Sequence, residues 1–327
     1  MARGRKKEIA RVARDLCARF RVDEGDEFRL ADHDPADTLD LGAEDRPRAR
    51  EALAAGVQGL AELQERLYAD DRWALLLVFQ GMDAAGKDGV IKHVLSGVNP
   101  QGCEVHSFQA PSAEELDHDW LWRCVRCLPR RGHIGIFNRS YYEETLVVRV
   151  HPELLERQRL PPALVTKKLW KQRFQDIRAF ERYLGRNGIL VRKFFLHVSK
   201  KEQKRRFLAR IEEPEKHWKF SARDVAERER WGDYMDAYED AIRHTATPAA
   251  PWFVVPADHK WFSRLVVAGA VIEALAGLDL RYPAVPPEER AALAAAKRAL
   301  LGAGASSPPA KTPSRPRPVP PRIRGPR

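Results

Sequence analysis

A chain of 327 residues, 44% hydrophobic and 31% charged, has the composition of a soluble globular protein and is long enough for one large α/β domain or two smaller ones. Its formal charge of +11 suits an acidic ligand, and four cysteines (Cys17, Cys103, Cys124, Cys127) exclude a disulfide framework and fit a reducing, cytoplasmic setting. Met1–Lys7 is basic with no apolar core after it, and the longest apolar run, Leu265–Leu278, is broken by Glu273 and falls short of the ~20 residues a spanning helix needs, so neither a signal peptide nor a membrane span is expected.

Residues 1–45 are charged and weakly periodic, which predicts an N-terminal extension draped over the rest. Leu53, Val57, Leu60, Leu63 and Leu67 recur at helical spacing within 46–69. Five short apolar runs follow: Trp73–Phe79, Glu104–Phe108, His133–Phe137, Ile189–Val198 and Trp252–Val255. Helical patterns lie between them, at Ala113–Leu128, Ala163–Leu184, Lys201–Ile211 and Arg223–Thr245, and Leu265–Leu278 reads as a buried helix. Apolar strands alternating with helices predict a parallel, roughly five-stranded sheet covered on both faces, a three-layer α/β/α domain over 46–282. Residues 283–327 are expected to form a helix and a tail. Ala303–Arg327 holds six basic residues, no acid and eight prolines, a composition that predicts disorder.

The first candidate for chemistry follows the first apolar run. Gly81 and Gly86-Lys87 fit the frame G-x-x-x-x-G-K, in which glycines let backbone N–H groups cradle phosphate oxygens at a helix N-terminus and the lysine adds a point charge. In that reading Ala84, Ala85, Gly86, Lys87, Asp88 and Gly89 hold a phosphoryl group, and Lys92, one turn on, extends the basic surface. The Ser or Thr that usually follows the lysine and holds Mg²⁺ is replaced by Asp88, and an acid, Asp83, stands inside the loop. The plain alternative is a glycine-rich strand-to-helix turn.

The second candidate is Gly135–Glu144. An apolar strand ending in polar residues places them, in an open α/β sheet, at the carboxyl edge beside the loop. Asn138 stands where many P-loop enzymes carry a metal-binding Asp, and Arg139 is suited to neutralising transferring phosphate oxygens. A strand-end ion pair for Arg139 and a packed pair for the tyrosines is the competing reading. The third is the basic stretch Lys200–Arg210 with Lys216, Trp218 and Lys219. Arg206 and Arg210, four apart, share a helix face that can clamp a phosphate chain, and Pro214 marks a mobile lid. A solvated helix face is the alternative. Cys124-x-x-Cys127 has no second pair and no His cluster, so packing is preferred over metal or redox chemistry.

Taken together these stretches resemble the polyphosphate kinase 2 family, and most closely its class III subgroup, which phosphorylates nucleoside mono- and diphosphates. The matching blocks are GMDAAGKDGVIKHVLSGVNPQGC (81–103), PSAEELDHDWLWR (111–123), GIFNRSYYEETLVVRVHPE (135–153), KFFLHVSKKEQ (193–203), WKFSARDVAERERW (218–231) and APWFVVPADHKW (250–261). The resemblance implies transfer of the terminal phosphoryl group of inorganic polyphosphate to AMP and ADP, with Mg²⁺, by a protein that is a homo-oligomer with a helical lid. It further implies that Asp83, Gly86, Lys87 and Lys92 are phosphate-loop residues, that Asn138 and Arg139 form the second motif, and that Arg206 and Arg210 belong to the lid. Glu143 falls at an acid associated with accepting AMP; with Asn138 and Tyr142 it is expected at the nucleotide. Asn138 departs from the Asp of other branches and brings no charge, so Asp83 carries more of the expected metal-binding and acceptor-orienting work. Two rivals stay open on sequence. One is an ATP-dependent nucleoside monophosphate kinase, which the missing hydroxyl after Lys87 disfavours. The other is a non-catalytic P-loop protein binding nucleic acid, which the acids around the loop disfavour.

Overall fold

The computed structural model describes residues 3–302; the proline-rich basic tail expected over 303–327 lies outside the described residues. The chain divides into a unit of residues 1–282 and a separate segment, 283–327, in which Pro287–Gly302 is a helix.

Six strands form one sheet: β1 (Arg21–Val22), β2 (Ala74–Gln80), β3 (Cys103–Ser107), β4 (Ile134–Asn138), β5 (Ile189–His197) and β6 (Trp252–Pro256), in the order β1-β6-β5-β2-β4-β3. The five strands from β2 to β6 run parallel, and the helices on both faces make this an α/β fold. All seven residues of β2 are buried, which is why a strand sandwiched between helix layers reads as an uninterrupted apolar run. The sixth strand is the departure from expectation. β1 pairs antiparallel with β6 through Arg21↔Phe253 and Val22↔Trp252, and two residues are too few to leave a periodic signal.

In chain order the longer helices are α1 (Arg3–Ala18), α2 (Arg46–Asp70), α3 (Lys87–Val94), α4 (Leu169–Arg186), α5 (Lys200–Glu212), α6 (Ala222–Glu227), α7 (Trp231–Thr245) and α8 (Lys260–Ala276). α8 is the hub of one layer: α1, α2 and α3 pack on it, and it lies on β5 and β6. Its residues from Leu265 to Leu275 are almost all buried, as expected for a helix that is apolar all round. On the other face α4 packs on β5 and against α7. Among the described residues no helix is long and apolar enough to cross a membrane.

Three expected helices are shorter than their patterns. Ala113–Leu128 breaks into single turns at Ala113–Leu116, started by a Ser112/Glu115 capping box, and Trp122–Val125, because between them the Asp119 carboxylate accepts from Leu121 N at 2.9 Å and offers the backbone an alternative to the helix. Ala163–Leu184 begins only at Leu169, after a 3₁₀ turn at Pro162–Leu164. Arg223–Thr245 is interrupted by a 3₁₀ turn at Arg228–Arg230.

Candidate active site

The register Phe79↔Asn138 and Gln80↔Phe195 sets the carboxyl ends of β2, β4 and β5 side by side. The loop leaving β2 needs special backbone. Gly86, the residue before α3, has φ +107°, and Ala84 takes φ +62° despite its side chain. Such a loop persists only where its surroundings over-determine it. Lys87 Nζ donates to Gly81 O at 2.6 Å, Gln203 Nε2 to Asp83 O at 2.9 Å, and Arg206 Nη1 to Ala84 O and Ala85 O at 2.9 and 2.7 Å.

Above this loop lies a charged fork. Arg139, itself at φ +64°, donates through Nη2 to Asp83 Oδ1 at 2.7 Å and through Nη1 to Glu143 Oε2 at 3.1 Å. The Glu143 charge, followed by that of Asp83, holds the guanidinium above its ordinary range. Gln80, oriented with its NH₂ toward Glu143 Oε1 at 2.9 Å, steadies the same carboxylate from below. Burial, reinforced by the Arg139 charge, pulls the Lys87 ammonium down to about 8, although Asp83, Glu143 and Asp88 oppose it. Asn138 Nδ2 donates to Asp88 Oδ1 at 2.6 Å, so its Oδ1 is the atom left for a metal. Asp83, Ala84, Ala85, Gly86, Lys87, Asp88, Gly89, Asn138, Arg139, Glu143 and Arg210 all line one cavity of about 900 Å³.

Three expected site residues stand elsewhere. The Tyr142 ring is fully buried, and its hydroxyl bonds Glu181 Oε1 at 2.8 Å and Thr245 Oγ1 at 2.9 Å, so it turns into the core and away from any nucleotide in the cavity. Lys92 is exposed on α3, outside the cavity lining, because five residues at 3.6 per turn rotate it about 140° away from Lys87. Arg206 borders the cavity, but all five of its N–H groups are taken by Glu202 and by the carbonyls of Ala84, Ala85, Ala257 and Asp258. It staples the loop from behind and has no donor left for phosphate. Arg210, on the same helix face, does border the open space, 3.5 Å from Asp224 Oδ2. Burial and the Asp83 charge push the Asp224 carboxyl above its usual range.

Two residues that the motifs did not single out complete the arrangement. Gln203 is buried, and besides holding Asp83 O it accepts from Arg228 Nη1 at 2.6 Å, which ties the turn after α6 to the loop. Asp224 brings an acid to a wall otherwise dominated by cations. Both fall inside blocks that carry the family resemblance, but residue type alone did not mark them: a Gln within a basic run and an Asp in a short helix look like solvated surface. The Cys124 and Cys127 thiols are free and both raised by burial, Cys124 to about 12, which makes them poor nucleophiles and fits packing.

Mg²⁺ is normally held by one or two carboxylates and completed by water and phosphate oxygens. Among the described residues no three His, Cys, Asp or Glu side chains converge into a cage. Asp83, with one oxygen not engaged by Arg139, and the Asn138 carbonyl are a donor set that fits such a partly substrate-held ion.

Residues 43–282 match the family described as Polyphosphate kinase 2 (PPK2). The chain is 50% identical over 283 residues to an ADP-polyphosphate phosphotransferase of Rhodopseudomonas palustris, covering 86% of this chain and 97% of that protein. It is 44% identical to an AMP/ADP-polyphosphate phosphotransferase of Meiothermus ruber, over 81% of this chain and 95% of the relative. The crystal structure of polyphosphate kinase 2 from Arthrobacter aurescens TC1 superposes with a TM-score of 0.77 at 40% identity, covering 86% of this chain and 96% of that one.

Proposed function

Because the chain belongs to the polyphosphate kinase 2 family, we propose that it transfers the terminal phosphoryl group of inorganic polyphosphate to AMP and to ADP, forming ADP and ATP. The observation that carries this reading is the Asp83–Arg139–Glu143 fork set over Lys87 in a phosphate loop that lacks the usual hydroxyl. An oxygen of the acceptor phosphate attacks the terminal phosphorus, the bond to the next bridging oxygen breaks, and the shortened chain leaves as an anion. Such a transfer asks a protein for in-line positioning and charge neutralisation. Lys87 and the loop N–H groups hold the transferring phosphoryl group. Arg139 and Arg210 neutralise its equatorial oxygens. Asp83 orients the acceptor phosphate and, with Asn138, would hold Mg²⁺, which would supply charge neutralisation to the phosphates. Glu143 keeps Arg139 aimed and borders the acceptor. A homo-oligomer is part of the same reading, to be checked by light scattering.

The test is incubation of the purified protein with polyphosphate, Mg²⁺ and AMP in the absence of ATP, followed by chromatography. ADP appearing first and ATP second is the expected result. AMP phosphorylation only when ATP is supplied would replace this reading with an ATP-dependent monophosphate kinase.

A further inference from the structure

A second cavity, of about 440 Å³, shares no lining residue with the first. Its floor is buried and partly apolar: His197 ends β5, Val254 and Pro256 belong to β6, and Phe20 stands just before β1. Its rim comes from the loop 32–40, which brings Asp32, Asp34, Asp37 and Asp40 around the opening. Four carboxylates against the single guanidinium of Arg19 make an acidic hollow in a chain of formal charge +11. The sign of that charge selects a cation.

Two of the carboxylates are engaged, Asp32 by Arg29 at 3.1 Å and Asp37 by Arg19 at 3.3 Å. The other two are open. The Asp34 carboxylate uses only Oδ1, which accepts from Ala36 N at 2.8 Å, and Asp40 has no hydrogen bond or ion pair among the described residues. The imidazoles add acceptors without adding charge. Burial above all pulls His197 down to about 4, and burial lowers His33 as well. His197 is only 9% exposed, yet its Nδ1 has no partner among the described residues. Buried ring nitrogens are ordinarily satisfied, so this one calls for a donor.

This set also discriminates among cations. Among the described residues no three of the carboxylates and imidazoles converge closely enough to cage a metal ion. The volume suits a small organic molecule. An alkylammonium group brings three N–H donors and no acceptor, which matches open carboxylates and a neutral imidazole. A hydrocarbon spacer between such groups matches the ring of Phe20 and the side chain of Val254.

We propose that the hollow binds a small aliphatic polyamine, its ammonium groups taken by Asp34, Asp40 and His197 and its hydrocarbon laid over Phe20 and Val254. The occupant is connected to the first cavity through the backbone. Pro35, next to Asp34, accepts from Asp258 N at 3.0 Å, and Asp258 Oδ1 accepts from Ser199 N at 2.7 Å at the start of α5. The Asp258 carbonyl in turn receives Arg206, the residue that staples the phosphate loop. An amine that steadies 32–40 therefore firms the support behind that loop.

The experiment titrates spermidine calorimetrically into the full-length protein at fixed ionic strength, with no nucleotide, polyphosphate or Mg²⁺ present. The native protein is expected to show one saturable site. The double variant Asp34→Asn/Asp40→Asn should bind about tenfold more weakly, as for the loss of two charge contacts. Asparagine keeps an acceptor for Ala36 N and tolerates the left-handed backbone at residue 40, and melting without ligand checks that the variant is folded. Spermidine should raise the melting temperature of the native protein and leave that of the variant nearly unchanged. No saturable binding, or equal affinity in the two proteins, overturns the proposal. Displacement of spermidine from the native protein by stoichiometric Mg²⁺ or Mn²⁺ would overturn the choice of an amine in favour of a metal ion. No phosphate donor or acceptor takes part, so the outcome is independent of the phosphotransfer reading.

Discussion

Two charged networks meet at the segment Ser140–Glu144, and they are built on opposite terms. At the cavity, Lys87 rests on the carbonyls of Gly81 and Met82, and Arg139 is shared between Asp83 and Glu143 with its side chain 36% exposed. In the core, Lys193 Nζ donates to Glu181 Oε2 at 2.6 Å and to Thr245 O at 2.8 Å, while Tyr141 and Tyr142 both donate to Glu181 Oε1. The Lys193 side chain is 0% exposed and Glu181 only 2%. Trp252 Nε1 closes this inner set on Thr245 Oγ1 at 2.9 Å. The inner network is saturated and dry, so it can only be broken. The outer one leaves its cations on weak or shared acceptors, so phosphate can replace them. The same distinction separates Glu143 from its neighbour Tyr142: one faces exchangeable charge, the other a sealed one.

Removing the cation of the outer network should give the largest loss. Lys87→Ala is expected to lower kcat by at least ~10³-fold, on the scale of losing a preorganised charge at a transferring group, with product formation followed by chromatography. Near-native turnover would remove Lys87 from the chemistry. The inner network answers through stability instead. Glu181→Ala strands Lys193 in the core and should cost about 3–5 kcal/mol in urea unfolding, as for one partner of a buried pair, with much less effect on kcat per folded molecule.

Gln203 stands between the two, buried like the inner set but touching the outer loop. Gln203→Leu leaves Asp83 O and Arg228 without their partner, and should lower kcat roughly tenfold through a misplaced loop while costing about 1–3 kcal/mol of stability. A stability loss with kcat untouched would make Gln203 purely structural.

The pH dependence has opposite signs for binding and for folding. Lys87 is lowered from 10.5 to about 8 in the free protein, so its ammonium is lost as pH rises through that value. KM for polyphosphate should climb above about pH 8, and less steeply in kcat, because bound phosphate favours the protonated lysine. Between about 8 and 10.5 the unfolded chain binds more protons at this residue than the folded one, so its contribution to stability rises with pH in the same window. Thermal melts and steady-state kinetics across that range check both. The smallest effect is expected from Tyr142→Phe, about 1 kcal/mol of stability from lost hydroxyl bonds and no change in KM for AMP. A several-fold rise in that KM would return Tyr142 to the nucleotide.

The sheet was legible because fully buried parallel strands leave unbroken apolar runs; all five anticipated strands are found within about two residues of their ends. The loop was legible because G-x-x-x-x-G-K states a backbone requirement that Gly86 meets with its positive φ. What spacing alone does not encode is which way a residue faces once the strand ends. Arg206 and Arg210 share a helix face, yet one lies against loop carbonyls and the other borders the cavity. Tyr142 and Glu143 are adjacent, and a single 3₁₀ turn at Tyr141–Glu144 sends them in different directions. Gln203 depends on contacts between segments distant in sequence, to Asp83 and to Arg228, and its residue type does not announce them.

β1 has a further consequence. An unpaired β6 would present a row of free N–H and C=O groups along Trp252–Pro256, a ready template for another chain. The pairing with Arg21 and Val22, with Phe20 O accepting from Val254 N at 2.8 Å, covers that row. The same segment then runs on to Pro35, whose carbonyl accepts from Asp258 N at 3.0 Å, at the residue that also receives Arg206. The N-terminal stretch is thus a guard rail for the sheet and a brace for the loop that leaves β2, joined through one aspartate.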